Sequence, residues 1–282
     1  MRWSAQGMVM DALEEVLWLG EPAAHDRARV GGKAAQLSRL AARFEVPPGF
    51  CLPAGTAAST AAAAYRELAQ RLGEEKPAVA VRSSGVDEDG AAASFAGQHE
   101  TFLHVRGEDA VVTCVEACAA SAQADGALAY RRAHGLCEAA ECAVLVQALV
   151  LADVALVAFT ADPVTGDRDR IVVNATWGLG ESLVGGTVTP DAYVLHRDGP
   201  ALVDRAIAVK RRMTVAAGEG TREVDVPASL RALACLEDAQ ALETAGLALS
   251  VEAEMGHPVD IEAAWADGRL HLLQCRPITT LS

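Results

Sequence analysis

Pro258-Val259-Asp260-Ile261-Glu262-Ala263-Ala264 and Leu270-His271-Leu272-Leu273-Gln274-Cys275-Arg276 stand on either side of Ala266-Asp267-Gly268. Two short apolar-rich runs around a glycine turn predict an antiparallel hairpin. Strand side chains alternate, so Glu262 faces away from Ile261 and Ala263, and Gln274 shares a face with Arg276. The turn decides whether the two strands present these groups together. A two-residue turn at Asp267-Gly268 pairs Ala266 with Arg269 and Glu262 with Leu273, which puts Glu262 and Gln274 on opposite faces. A three-residue loop, or an equivalent bulge, pairs Glu262 with Gln274 and Asp260 with Arg276. In that register a carboxylate and an amide oxygen, both hard ligands, can share a magnesium ion, which takes one or two protein oxygens, water and substrate phosphates. A solvated polar face on an edge hairpin fits the same spacing.

Outward from the hairpin, elements alternate. Ala228–Met255 reads as mostly helical, and Val154–Thr160, Ile171–Thr176 and Asp191–His196 read as strands. Ala143–Val150 is an apolar run broken only by Gln147. Asp109–His134 reads as a helix, with Val111, Val115 and Cys118 on one stripe and Gly135 as its C-cap. Thr101–Val105 and Ala78–Val81 read as strands, and 82–97, polar and rich in small residues, as a long loop. An alanine-rich helix is expected over roughly Thr56–Leu72. Before Pro47-Pro48-Gly49, a helical pattern opens at Gly31-Gly32-Lys33, with Leu37, Leu40, Ala41 and Phe44 on one face. Val16–Leu19 reads as a strand. This alternation predicts α/β or α+β architecture. A soft boundary near Glu141–Gln147 divides the chain into subdomains 1–144 and 145–282.

The 282 residues suffice for a large buried core, and 51% hydrophobic with 22% charged residues excludes a disordered chain. A net charge of −14 argues against partners that are nucleic acid or anionic membrane, but not against a nucleotide, which needs only local cations and backbone N–H groups. The seven cysteines form no C-x-x-C pair and read as reduced, buried hydrophobes. Asp11, Glu14 and Glu15 make the first twenty residues neither a signal peptide nor a membrane span, so a cytoplasmic location is expected.

Several polar motifs point toward phosphate chemistry. Gly31-Gly32-Lys33 places a lysine on a helix's first turn, where close backbone approach and the helix dipole favour an anion; taken alone, so short a motif reads better as a glycine turn before an exposed lysine. Arg82, in Val81-Arg82-Ser83-Ser84, can bind phosphate in bidentate fashion or pair with Asp87 or Glu88. Ser94-Phe95-Ala96-Gly97-Gln98 suits a phosphate-covering loop or an ordinary tight one. Gln147 interrupts a buried strand, so its amide must find a ligand or neighbouring backbone. The seven histidines form neither a metal spacing nor a nucleophile–base cluster.

Together these segments resemble the ATP-binding domain of the phosphoenolpyruvate synthase, pyruvate phosphate dikinase and rifampin phosphotransferase family. The likeness runs, in the family's order, through Val30-Gly31-Gly32-Lys33, Val46-Pro47-Pro48-Gly49-Phe50, Ala80-Val81-Arg82-Ser83-Ser84 and 94–103. It continues through Phe159-Thr160-Ala161-Asp162-Pro163, Trp177-Gly178-Leu179-Gly180-Glu181 and Val188-Thr189-Pro190-Asp191. It closes on Pro258-Val259-Asp260-Ile261-Glu262 and Leu273-Gln274-Cys275-Arg276-Pro277. The resemblance implies an ATP-grasp fold with ATP held between two subdomains. It implies ATP-site roles for Lys33, Arg82, Gly97, Thr101, Gln147, Glu262, Gln274 and Arg276. Of these, Lys33, Arg82 and Arg276 would act on phosphate catalytically, and Glu262 and Gln274 would hold Mg2+.

Two departures accompany the likeness. Only 51–79 separates the Pro-Pro-Gly-Phe and Val-Arg-Ser-Ser segments, fewer residues than the family usually has. No histidine sits in the Thr-Ser-His-like context of the family's phosphate carrier. In the family, the β-phosphoryl group of ATP passes to that histidine, leaving AMP and phosphate. The expected function is therefore an ATP-dependent phosphotransferase component that serves a histidine-bearing swivelling domain in trans. Two alternatives are a stand-alone kinase of a small molecule and a non-catalytic nucleotide-binding module.

Overall fold

The structure is a computed structural model that describes residues 15–86, 101–121, 142–199 and 201–279. The fold is mixed α/β, as the alternation of elements predicts. It forms two compact units: the chain before Arg43 together with Pro47–Leu149, and Arg43–Val46 together with the chain from Val150. No helix among the described residues is long and apolar enough to cross a membrane.

The first unit is built on an antiparallel sheet in the order β1-β2-β5-β3-β4: β1 is Leu17–Trp18, β2 Gly49–Leu52, β3 Val79–Ser84, β4 Thr101–Val105 and β5 Ala143–Ala148. Helices α1 (Arg27–Leu40), α2 (Thr60–Leu72) and α3 (Glu108–Ser121) accompany it. Phe50, Leu52, Val79, Val81, Val144 and Val146 point to one face, where they meet Ala61, Ala64, Tyr65 and Leu68 of α2 and Val111, Val115 and Cys118 of α3. The α2 residues recur at i, i+3, i+4 and i+7, one face of a helix. On the other face, Cys51 Sγ lies 3.6 Å from the Val30 carbonyl of α1. β5 is thus covered on both sides, which is why its sequence runs apolar without alternating.

β5 lies between β2 and β3, so the units divide after Leu149 and not at 144/145. Arg43–Val46 belongs to the second unit because Leu272 N–H donates to the Glu45 carbonyl at 2.9 Å and Glu45 pairs with Arg269 at 3.0 Å.

The second unit holds a six-stranded antiparallel sheet, β13-β12-β6-β7-β8-β9. Its strands are β6 Val154–Phe159, β7 Arg170–Trp177, β8 Asp191–His196, β9 Leu202–Ala206, β12 Val259–Ala266 and β13 Arg269–Pro277. A separate ribbon pairs β10 (Arg212–Ala216) with β11 (Thr221–Asp225). A one-turn helix, α4 (Glu181–Val184), follows β7, and α5 spans Asp238–Met255. Ala241, Ala245, Ala248 and Val251 of α5 are fully buried; three alanines let the helix lie close to the strands.

Three expectations are corrected here. The helix expected from Ala228 begins at Asp238, where the Gln240 side chain accepts from Glu237 N–H at 2.9 Å and caps the first turn. The alanine-rich helix begins at Thr60, not Thr56. Strands β9 and β11 carry no apolar alternation, β10 only the short Met213/Val215 one, and none of the three was expected. The stretch expected as helix beyond Ser121, with its cap at Gly135, lies outside the described residues.

Candidate functional site

In the first unit the polar residues gather on the sheet face that α1 packs against. Residues directly opposite in an antiparallel pair share a face. Arg82 is opposite Thr101 on one side and Leu145 on the other, and Gln147 is opposite Ala80 and Gly49. Leu145 is also opposite Cys51, the residue under α1. Arg82, Thr101 and Gln147 therefore project away from the α2/α3 core, on the side of Lys33.

Lys33 reaches that face through a break in α1. Gly31 adopts φ 77° and ψ 174°, which ends one helical turn and starts the helix proper at Gly32. Gly32 N–H donates to the Gly85 carbonyl at 2.9 Å, and Ala34 N–H to Ser84 Oγ at 3.2 Å. The new helix start is thereby tied to the end of β3. A Cβ at Gly31 would lie 2.1 Å from the Ser84 carbonyl oxygen, so only glycine permits this approach. The Lys33 stem is buried, and its Nζ lies 3.4 Å from the Ser83 carbonyl. Gln147, 2% exposed, donates through Nε2 to the Pro47 carbonyl at 3.1 Å, so its amide does satisfy neighbouring backbone. Gly97, the loop around it, and the acidic residues Asp87 and Glu88 lie outside the described residues.

In the second unit the hairpin solves its register in an instructive way. Asp267 (φ 50°) and Gly268 (φ 72°) form a two-residue turn that pairs Ala266 with Arg269. By itself that turn would put Glu262 opposite Leu273. A β-bulge intervenes: Ala263 pairs with Leu272 and Glu262 with Gln274, leaving Leu273 as the extra residue. Asp260 then pairs with Arg276. Asp260, Glu262, Gln274 and Arg276 thus form one constellation. Arg276 Nη2 lies 3.1 Å from Asp260 Oδ2 and 3.6 Å from Glu262 Oε1.

Asp260 received no role from the sequence beyond standing opposite Arg276. Burial pushes its carboxyl up, Arg276 pulls it back and Glu262 pushes it further, to about 6. Its Oδ1 is buried and has no hydrogen-bond partner among the described residues. A buried, unsatisfied carboxylate oxygen beside a second carboxylate and an amide is a donor set that a hard cation would relieve. No cluster of three His, Cys, Asp or Glu among the described residues could hold a metal unaided. Magnesium, completed by water and phosphate oxygens, does not need one.

A cavity of about 510 Å3 lies elsewhere in the second unit, lined by Thr160, Arg168, Arg197, Glu252 and His257 among others, and none of the four hairpin residues borders it. Arg197 Nη1 donates there to the Thr160 carbonyl at 3.0 Å and to Glu252 Oε2 at 3.1 Å.

Residues 57–282 match the family described as pyruvate phosphate dikinase, AMP/ATP-binding domain. The chain belongs to this family. Among curated relatives of this dikinase-type domain, a probable phosphoenolpyruvate synthase from Methanocaldococcus jannaschii is 40% identical over 220 residues, 77% of this chain and 18% of that protein. The phosphoenolpyruvate synthase of Pyrococcus furiosus is 42% identical over 228 residues, 77% of this chain and 28% of that protein. A rifampicin phosphotransferase from Streptomyces sviceus is 37% identical over 278 residues, 98% of this chain and 30% of that protein. The chain spans less than a third of the length of each. Among solved structures, D-alanyl-alanine synthetase A from Vibrio cholerae matches with a TM-score of 0.38 and 13% identity, covering 94% of this chain and 59% of that one, too distant a likeness to bear on function.

Proposed function

We propose that this chain binds ATP with magnesium in the ATP-grasp manner and is the nucleotide-handling part of an ATP-dependent phosphotransferase of the phosphoenolpyruvate synthase type. The observation that carries the reading is the bulge at Leu273, which brings Glu262 opposite Gln274 against the register its own turn dictates. Bulges are features of strands that must re-aim side chains, and this one assembles a hard-donor pair beside Arg276. Membership of an AMP/ATP-binding family supports the nucleotide as ligand.

In the second unit, Glu262 and Gln274 would hold magnesium, with Asp260 next to them. Magnesium would neutralise phosphate charge and orient the phosphate chain. Arg276, a permanent cation with a planar fork of donors, would bind phosphate oxygens where negative charge grows as the phosphoryl group departs. In the first unit, Lys33 and Arg82 would bind phosphate, with Thr101 and Gln147 on the same face as nucleotide contacts. Gly97 would contribute backbone on a covering loop.

The acceptor is proposed as a histidine on a swivelling domain supplied in trans. Its ring nitrogen would attack the β-phosphorus of ATP as the bond to the α-phosphate's bridging oxygen breaks; loss of the γ-phosphate to water completes AMP and phosphate. The match to a rifampicin phosphotransferase over 98% of the chain favours a second reading, in which the final acceptor is a small molecule. Calorimetry with MgATP tests the binding step: Glu262→Gln should weaken magnesium-dependent binding at least about tenfold. Equal affinity with and without the substitution would remove Glu262 from the site.

A further inference from the structure

The sheet face that carries Glu262 and Gln274 continues across the second unit. Glu262 is opposite Val157 of β6, and Val157 is opposite Asn174 of β7. In the next row Asp260 is opposite Phe159, and Phe159 is opposite Val172. Val157, Phe159, Val172 and Asn174 are each only half-buried, so this stretch of the face is open within the unit. Asn174 is its one polar side chain beyond the hairpin, and it makes no side-chain hydrogen bond to any described residue.

One step along β7 the face closes. Thr176, on the same side as Asn174, is fully buried, and a side chain added at Gly180 in the following loop would touch Ala155, the residue opposite Thr176. Asn174 therefore stands where the open stretch closes along β7, two strands across from the carboxylate hairpin, with half-buried Ala192 of β8 next to it on the same face. Two strand spacings separate it from Glu262, roughly 10 Å.

We propose that Asn174 is a specificity-determining residue that hydrogen-bonds the sugar hydroxyls of the bound nucleotide. The inference rests on the reading above that phosphates sit at Glu262 and Gln274. Magnesium-held phosphates then fix one end of the ligand, and the sugar lies a phosphate chain's length further on, at the scale of that separation. A carboxamide both donates and accepts, as a vicinal diol does. A neutral group among valines is a poor phosphate site. The base, a flat apolar surface with a polar rim, suits Val157, Phe159 and Val172 beneath it, and its rim would then run parallel to the sheet, out of line with a side chain rising from it.

The test compares ATP, 2′-deoxy-ATP and 3′-deoxy-ATP, each with magnesium, by calorimetry on the wild-type chain, Asn174→Ala and Asn174→Ser. The wild type should bind at least one deoxy analogue about threefold to tenfold more weakly than ATP. Asn174→Ala should lose affinity for ATP by a similar factor and bind all three nucleotides alike. A wild type that does not distinguish the analogues, or an Asn174→Ala chain that keeps the wild-type preference, overturns the proposal. Unaltered thermal melting of either variant shows that the fold is intact, and Asn174→Ser serves where the alanine variant fails to fold. Tight, Glu262-dependent ATP binding with an unchanged preference in Asn174→Ala sinks this inference alone, whereas absence of ATP binding in the wild type sinks the underlying reading with it.

Discussion

Gly31 shows how one residue can set a site without touching its ligand. Its left-handed φ and the 2.1 Å that a Cβ would leave to the Ser84 oxygen admit no side chain. Gly31→Ala should force α1 away from β3 and destabilise the chain by about 2 kcal/mol or more, seen as a lowered melting temperature. Unchanged melting would mean that the break in α1 relaxes freely. The sequence made this position legible as a glycine before a helix, but not the contact with Ser84, which lies 53 positions further along the chain. For Arg82 the residues alone left phosphate binding and a salt bridge open, and the family resemblance supplied the phosphate role; it stands within β3, two residues before its end. Arg82→Ala should weaken nucleotide binding at least about tenfold, by loss of a charge-assisted contact. An unaltered dissociation constant in calorimetry would take Arg82 out of the site. Asp260 was harder to read, because a carboxylate opposite an arginine already has an explanation; only its burial and its orphaned oxygen mark it out.

At the scale of elements, the C-terminal hairpin carries the sharpest lesson. Turn chemistry and side-chain chemistry pointed to different registers, and the structure satisfies both by inserting Leu273. From sequence the conflict was visible and its resolution was not, since nothing local marks which residue bulges. Deleting Leu273 should leave Ala266 paired with Arg269 and Glu262 paired with Gln274, now in an unbroken ladder. Magnesium-dependent nucleotide binding should therefore survive within a few-fold, whereas Gln274→Leu should lose it. Abolished binding in the deletion with a folded chain would show that the bulge's own geometry is needed. Strands β9 to β11 escaped because most of their residues are exposed and packing supplies no period. The chain around them is fixed instead by a buried ion pair. Asp191 accepts from Lys210 Nζ and Ala208 N–H through Oδ1 and from Cys235 N–H through Oδ2, with both charged side chains wholly buried. Lys210→Met would strand the Asp191 charge and should cost about 3–5 kcal/mol of stability in denaturant unfolding. A variant as stable as wild type would mean that the ion pair does not hold this part of the chain.

For the whole molecule, the two-unit organisation was legible in outline, and its boundary was displaced for a topological reason: β5 follows α3 in sequence but enters the middle of the first sheet. Local patterns report elements, while the order of strands in a sheet is a long-range property that no window of sequence contains. Function behaves similarly. The candidate cations and hard donors could be named from the residues, but their ATP-site roles came from the family resemblance, and in the sequence none of the seven histidines sits in the Thr-Ser-His-like context of a carrier. Phosphoryl transfer depends on alignment and charge neutralisation more than on bond chemistry supplied by the protein. If Lys33, Arg82 and Arg276 act on phosphate as proposed, these 282 residues assayed by themselves should turn ATP over slowly, with water as the acceptor. Adding a histidine-bearing swivelling-domain protein to the purified chain with magnesium and β-labelled ATP should raise turnover at least about a hundredfold, as an aligned nucleophile replaces bulk water. It should release AMP and phosphate and leave acid-labile label on the added protein. Label appearing on a small molecule while the added protein stays unlabelled would favour the small-molecule reading. Tight ATP binding with a negligible rate under every acceptor would instead leave a nucleotide-binding module, and the phosphotransferase reading would fall.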